Sequence, residues 1–196
     1  MAEAFDLVIV DEKTLPLVQH LRYRVYVAEK GFALAGADHA SRRVFDAADS
    51  KGTSFALFDG PDLASSAQVV TVDPRAPGPG YDVFALRDNL PDPSAKAVVV
   101  SKLVTAPERR GQKTLGPILK AILEFVKVSG ARYIAILVEP QMVKFYASMG
   151  FDERATGIDA PPYGVVSLMV FDMQDERHIS GKSLAGWMFK SLFQSP

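Results

Sequence analysis

The residues with the clearest chemical potential are the cations of one turn, Arg109, Arg110 and Lys113. The turn reads PERRGQKT, follows an apolar strand and precedes a long amphipathic helix. Exposed N–H groups and the positive end of the dipole at a helix N-terminus favour an anion. The turn therefore predicts a phosphate site that suits a pantetheine phosphate or the pyrophosphate of coenzyme A. A solvated basic turn without a ligand is the alternative.

Two further residues could move protons. Tyr146 lies in the segment VKFYASMGF, and a phenol with a pKa near 10 can protonate a departing thiolate. Packing of this ring against Met142 and Met149 is the alternative. Glu139 follows the apolar strand 133–138, at the end where parallel sheets usually open a crevice. It is a candidate general base, and a charge that complements the dipole of the next helix is an equal alternative.

The elements that must position these residues follow from hydrophobic periodicity. Strands are predicted at 5–10, 55–58, 67–72, 97–105, 133–138 and 165–171, and helices at 14–30, 115–129 and 140–149. A helix between the strands 97–105 and 133–138 implies a parallel pair with a right-handed crossover. Residues 33–53 are irregular and charged, and the segment ADHASRRVFDAADSKG within them is predicted to be a mobile loop.

Composition restricts the class of protein. The chain has 196 residues, 48% of them apolar and 23% charged, which is typical of one globular domain. Its net charge of −1 gives no sign of a nucleic-acid partner. There is no cysteine, and the sequence pattern predicts neither a signal peptide nor a membrane span, so a cytoplasmic protein is expected. The three histidines are scattered without metal-site spacing, so no metal is expected.

Two of the segments above resemble motifs of the GNAT N-acyltransferase superfamily. LVTAPERRGQKTLGPIL resembles its carrier-binding turn, Arg/Gln-x-x-Gly-x-Gly/Ala, although Lys113 and Leu115 stand at the glycine positions. A lysine there still suits the single phosphate of an acyl carrier protein. VKFYASMGF resembles Phe-Tyr-x-x-x-Gly-Phe, in which the tyrosine protonates the leaving thiolate, and this places Tyr146 in that role.

The resemblance implies an α/β (α+β) GNAT fold and a co-substrate, either acyl-CoA or acyl-phosphopantetheine. Its central mixed, twisted sheet has about six to seven strands, two of them parallel and splayed, with helices on both faces. The backbone N–H of Val104 or a neighbour would bind the oxyanion. The implied donor-binding residues are Leu103, Val104, Thr105, Arg109, Arg110, Gly111, Gln112, Lys113, Thr114 and Leu115.

The N-terminal half resembles a narrower branch, the acyl-homoserine-lactone synthases and related N-acyl amino acid synthases. LRYRVYVAEKGF is similar to their opening helix, and VVVSKLV to their Glu-x-Ser-Arg strand. Gln68 and Lys102 stand at arginine positions and Val99 at the glutamate, so homoserine-lactone synthesis is not implied. The implied substrate-binding residues are Arg22, Tyr26, Phe32, Asp46, Asp49, Gln68, Ser101 and Lys102. For Asp46 and Asp49, solvated loop acids are the alternative.

The sequence thus predicts an N-acyltransferase that moves an acyl group from acyl-CoA or an acyl carrier protein to a small amine or amino acid. A catalytically degenerate acyl-binding or partner-docking module and a plain acetyl-CoA acetyltransferase are the alternatives. The catalytic domain is placed at 1–173 and an amphipathic extension at 174–196. Packing of residues 182–193 on the body or in a homodimer is favoured over membrane contact.

Overall fold

The computed structural model describes residues 5–110 and 114–179. Gly111, Gln112 and Lys113 of the predicted phosphate turn and the residues 180–196 of the predicted extension lie outside the described residues. Contacts divide the chain into two compact units. One comprises Met1–Val70 and Val100–Ile122, and the other Thr71–Val99 and Leu123–Pro196.

The described strands form one large mixed sheet and one small ribbon. The strands are β1 (Asp6–Ile9), β2 (Ala37–Asp38), β3 (Arg43–Val44), β4 (Thr53–Asp59), β5 (Asp62–Val72), β6 (Ala97–Thr105), β7 (Tyr133–Val138), β8 (Asp152–Asp159) and β9 (Val165–Asp172). Over the described residues the large sheet has seven strands in the order β1-β4-β5-β6-β7-β9-β8, and β2 pairs with β3. This architecture confirms the predicted fold class.

The helices are short apart from one. They are α1 (Leu15–Arg22), α2 (Leu86–Asn89), α3 (Leu115–Ser129), α4 (Val143–Ser148) and α5 (Glu176–Ile179), with a π-helical stretch at Tyr23–Glu29 and 3-10 turns elsewhere. The bounds of α3, β6 and β7 agree with the sequence prediction, because an uninterrupted apolar pattern and the stop at Gly130, with φ 67°, define them. No helix among the described residues is both long and apolar enough to cross a membrane.

In the first unit, α1 runs directly into the π-helical stretch, and the two together form the predicted first helix. A turn precedes it, in which the carboxylate of Asp11 accepts the backbone N–H of Thr14, the residue just before α1, at 2.9 Å. Leu21 and Val25 pack in a buried cluster with Val104 and Ala106. This packing fixes the rotation of the helix and so determines where its next residue, Arg22, is placed.

The region predicted as an irregular mobile loop has its own structure, and that prediction is wrong in part. It contains the β2–β3 ribbon and a 3-10 turn at Ala47–Ser50. Asp46 begins the turn, because its side chain accepts the N–H of Ala48 at 2.8 Å. Short polar side chains that bond to nearby backbone produce such turns without apolar periodicity.

In the second unit, β6 and β7 pair in parallel from Ala97–Tyr133 to Val99–Ala135, as predicted. Their divergence beyond these pairs stays a prediction. The sequence analysis missed β8, whose exposed, polar residues show no clear alternation of apolar side chains. It also began β5 at Ala67, whereas this strand starts at Asp62.

Candidate functional site

Five of the residues singled out by sequence form one buried polar cluster in the first unit. Arg22 is 1% exposed, and its Nη1 donates to Asp49 Oδ1 at 2.5 Å. The Nζ of Lys102 lies 2.8 Å from Asp46 Oδ2 and 3.5 Å from Asp49 Oδ1. It also donates to the Oε1 of Gln68 at 2.8 Å. The resemblance therefore identified residues that are far apart in sequence but in contact in the fold.

The cluster is electrically balanced, with two cations and two carboxylates. Asp49 is 8% exposed, so the alternative of a solvated loop acid is wrong for this residue. Burial acts to raise the pKa of Asp46, but its contacts with Lys102 and with the Ala48 N–H outweigh burial and lower it. Burial, together with the charge of Arg22, lowers the pKa of Lys102.

Hydrogen bonding inside the cluster is incomplete. Within the part of the chain that the structure describes, Arg22 Nε and Nη2 and Asp49 Oδ2 are buried and have no hydrogen-bond partner. An arginine can bind a carboxylate in a bidentate manner, with two nitrogens donating to two oxygens. Arg22 instead donates to Asp49 through Nη1 alone. Buried polar groups are normally satisfied. The unused donors and acceptor are therefore where a polar ligand or ordered water would bind.

Lys102 also has an unusual backbone conformation. Its φ of 53° lies in the left-handed region, although it stands inside strand β6. A non-glycine residue in this region is strained. The side-chain contacts of Lys102 within the cluster hold it there.

The neighbouring residues of β6 that were predicted to bind the donor lie against the first unit's core. Val104 is buried, and its carbonyl accepts the Oγ of Ser65 at 2.8 Å. The same Oγ lies 3.2 Å from the hydroxyl of Thr105. Leu103 is half-buried, and so is Ser101, which was predicted to bind the acceptor. The roles of Leu103, Val104 and Thr105 in donor binding and of Ser101 in acceptor binding stay predictions.

Tyr26 and Phe32 form an aromatic pair at the end of the first helix. Their ring centroids are 6.2 Å apart, and the N–H of Phe32 donates to the carbonyl of Tyr26 at 2.8 Å. Tyr26 also packs against the cluster formed by Leu21, Val25, Val104 and Ala106. A packing role is thus visible for both rings.

The arginines of the predicted phosphate turn are both engaged in ion pairs. Arg110 makes a bidentate contact with Glu29, in which Nη1 donates to Oε1 at 2.5 Å and Nη2 to Oε2 at 2.8 Å. Arg109 lies 2.5 Å from Asp59 and 3.3 Å from Asp62. Sequence reasoning missed these acids because they lie on other elements and form no local motif with the turn. After residues 111–113, Thr114 is buried, and the half-buried Leu115 begins α3.

The second unit holds the two candidate proton carriers. Tyr146, on α4, is half-buried and makes edge contacts with Phe145 at 5.3 Å and Phe151 at 5.6 Å. Burial raises the pKa of Tyr146, so the phenol is protonated at neutral pH and able to act as an acid. Glu139 is half-buried just before the 3-10 turn Pro140–Met142, and it accepts the side-chain amide of Gln141.

The sequence matches the model of one protein family, N-acyl amino acid synthase FeeM, over residues 18–171. No curated protein matches significantly by sequence. Among solved structures, the chain is similar to FeeM, an N-acyl amino acid synthase from uncultured soil microbes. The TM-score is 0.72 at 14% identity, and the alignment covers 94% of this chain and 98% of FeeM.

Two other solved structures are similar over nearly their full length. BjaI, a CoA-dependent acyl-homoserine lactone synthase solved with SAM and isopentyl-CoA, has a TM-score of 0.70 at 14% identity; the alignment covers 96% of this chain and 90% of BjaI. The acyl-homoserine lactone synthase LasI has a TM-score of 0.69 at 11% identity, covering 91% of this chain and 95% of LasI. At these identities the structural likeness establishes the shared fold.

Proposed function

Because the chain belongs to the N-acyl amino acid synthase FeeM family and is an acyl-transferring enzyme, we propose that it acylates the α-amino group of an amino acid. The proposed donor is a phosphopantetheine thioester, carried by coenzyme A or by an acyl carrier protein. The proposed acceptor site is the cluster formed by Arg22, Asp46, Asp49, Gln68 and Lys102.

The observation behind the choice of acceptor is the pair of unused positions in this cluster. Among the described residues, Arg22 Nε and Nη2 have no hydrogen-bond partner and suit a carboxylate, and Asp49 Oδ2 has none and suits an ammonium or amine. An α-amino acid has both groups two bonds apart. For the amino acid to enter the cluster, the contact between Asp46 and Lys102 would have to break. Asp46 is the residue of this pair that faces solvent, since its side chain is 37% exposed.

Charge balance favours an amino acid over a simple amine. The cluster contains two cations and two anions, and a zwitterion adds no net charge to it. A cationic amine without a carboxylate would leave a buried net charge and the Arg22 donors unpaired, and both are unfavourable. This argument also disfavours a lactone or ester acceptor, whose carboxylate is masked.

The ammonium group of the bound amino acid first loses one proton to solvent, and the neutral amine then attacks the thioester carbonyl, forming a C–N bond as the C–S bond breaks. The nitrogen gives up a second proton to a base, for which Glu139 is the proposed residue, and the thiolate takes a proton from Tyr146. Proton exchange with solvent returns both residues to their starting state. The tetrahedral oxyanion would be stabilised by a backbone N–H of β6 near Val104. Arg110 and Arg109 are proposed to bind the phosphate of the donor.

The test is an acyltransferase assay with acyl-CoA and acyl carrier protein as donors, in which the released thiol is measured. We expect turnover with free amino acids and at least tenfold less with the matched amino acid methyl esters, since a missing partner for a buried charged group costs more than 1.4 kcal/mol. Arg22→Met should abolish this preference. Equal turnover with acids and esters would refute the proposed acceptor site.

A further inference from the structure

Glu29 binds the same part of Arg110 that a phosphate would use. The two guanidinium nitrogens of Arg110 contact the two carboxylate oxygens of Glu29, at 2.5 and 2.8 Å. Arginine binds two phosphate oxygens through the same planar, bidentate contact. The hydrogen bond from Arg110 lowers the pKa of Glu29, so this carboxylate is ionised at neutral pH.

The pair is open to exchange with a solute. The side chain of Arg110 is 44% exposed and that of Glu29 is 37% exposed. Exposed ion pairs contribute little to stability because water screens them. A phosphate, with more charge and more acceptor oxygens than a carboxylate, can therefore replace Glu29 on Arg110 without disturbing the core.

The other described arginines around the turn have acidic partners as well. Arg109 pairs with Asp59 and Asp62, and Arg24 of the π-helical stretch pairs with Glu108 of the turn at 2.7 Å. A phosphate that approaches the described part of this turn meets guanidinium groups that already contact carboxylates. Of these contacts, the one between Glu29 and Arg110 engages both terminal nitrogens of one arginine with both oxygens of one carboxylate.

We propose that Glu29 is an intramolecular competitor for the donor phosphate, and that it thereby determines how strongly phosphopantetheine ligands bind. In the free enzyme the Glu29 carboxylate binds the guanidinium of Arg110, and a donor phosphate displaces it. The spent thiol carries the same phosphate, so the competitor also weakens retention of the product. This inference rests on the proposed donor site, and the experiment below separates the failure of one from the failure of the other.

The experiment measures dissociation constants of pantetheine, 4′-phosphopantetheine and coenzyme A by calorimetry for wild type and variants. For Glu29→Gln we expect about two- to fivefold tighter binding of both phosphate-bearing probes, the range that loss of one exposed ion pair allows. Binding of pantetheine, which has no phosphate, should not change. Glu12→Gln, which removes an exposed carboxylate before α1, is the matched control and should leave all three constants unchanged.

Arg110→Ala separates the two ideas. We expect it to weaken both phosphate-bearing probes and to remove the gain from Glu29→Gln in the double variant. If Arg110→Ala weakens binding while Glu29→Gln has no effect or weakens it too, the competitor role is refuted and the donor site stands. If Arg110→Ala has no effect on either probe, the phosphate does not bind at Arg110 and both are refuted. If Glu29→Gln tightens the binding of coenzyme A more than that of 4′-phosphopantetheine, the group that competes more strongly with Glu29 is the pyrophosphate.

Discussion

The ion pair between Arg22 and Asp49 gives the sharpest test of the buried cluster. Asp49→Asn keeps the shape of the side chain but removes its charge, which leaves Arg22 and Lys102 with Asp46 as their remaining anion. Arg22 is 1% exposed and Asp49 is 8% exposed, so solvent offers little compensation. Removing one partner of a buried pair costs about 3–5 kcal/mol, and we expect a loss in this range.

Urea denaturation followed by circular dichroism measures this loss as a change in the free energy of unfolding. A typical domain has about 5–15 kcal/mol of stability, so the variant should fold but unfold at a clearly lower urea concentration. Glu108→Gln is the control, because it breaks the exposed pair with Arg24 and should cost less than about 1 kcal/mol. The double variant Arg22→Met, Asp49→Leu should recover most of the loss, since an apolar pair often replaces a buried ion pair without penalty.

If Asp49→Asn costs no more than Glu108→Gln, the cluster is solvated, and both its burial and the charge argument for a zwitterionic acceptor are wrong. A loss in the double variant as large as that in Asp49→Asn would show that the packing, rather than the unpaired charge of Arg22, is responsible.

Two further predictions concern single residues. Tyr146→Phe should lower kcat by about 100- to 10,000-fold with little change in the donor dissociation constant, because it removes a proton donor and keeps the ring that contacts Phe145 and Phe151; unchanged kcat would exclude Tyr146 as the acid. Lys102→Gly should be about 1 kcal/mol more stable to urea than Lys102→Ala, because glycine accepts the φ of 53° without strain; equal stabilities would show that this backbone relaxes when the lysine side chain is lost.

Apolar periodicity was sufficient to predict the elements in the middle of the chain. β6, α3 and β7 have the predicted bounds because their buried residues follow one period without interruption and a glycine ends the helix. β8 escaped prediction because most of its residues are exposed or half-buried, so its pairing with β9, not its own pattern, makes it a strand. The ribbon and turn within 37–50 depend on side-chain bonds such as that of Asp46, which periodicity does not detect.

The candidate site was predictable from sequence only through the resemblance. Arg22 and Lys102 are 80 positions apart in the chain, and nothing in their local sequence indicates that both contact Asp49. The partners of the phosphate turn illustrate the opposite case. Three cations in eight residues indicated a positive site, but the acids that neutralise Arg109 and Arg110 come from separate elements. The charges within the turn therefore did not predict that acids from other elements neutralise its arginines.

Two positions of this chain depart from the motifs of the synthases that it resembles. Gln68 and Lys102 stand at positions where the resemblance leads one to expect arginine. The cluster that contains both residues has two cations, Arg22 and Lys102, and two carboxylates, Asp46 and Asp49.

The buried position of Gln68 explains why a neutral side chain suits this place in the cluster. Gln68 is fully buried, and its amide donates to the carbonyl of Ala48 at 2.8 Å and accepts Lys102. An arginine at this position would add a third buried cation to a cluster with two carboxylates, at a high desolvation cost. A neutral amide can satisfy both neighbours without adding charge. Glutamine at this position thus keeps the cluster neutral, and this neutrality is the property on which the proposal of a zwitterionic amino acid as acceptor rests.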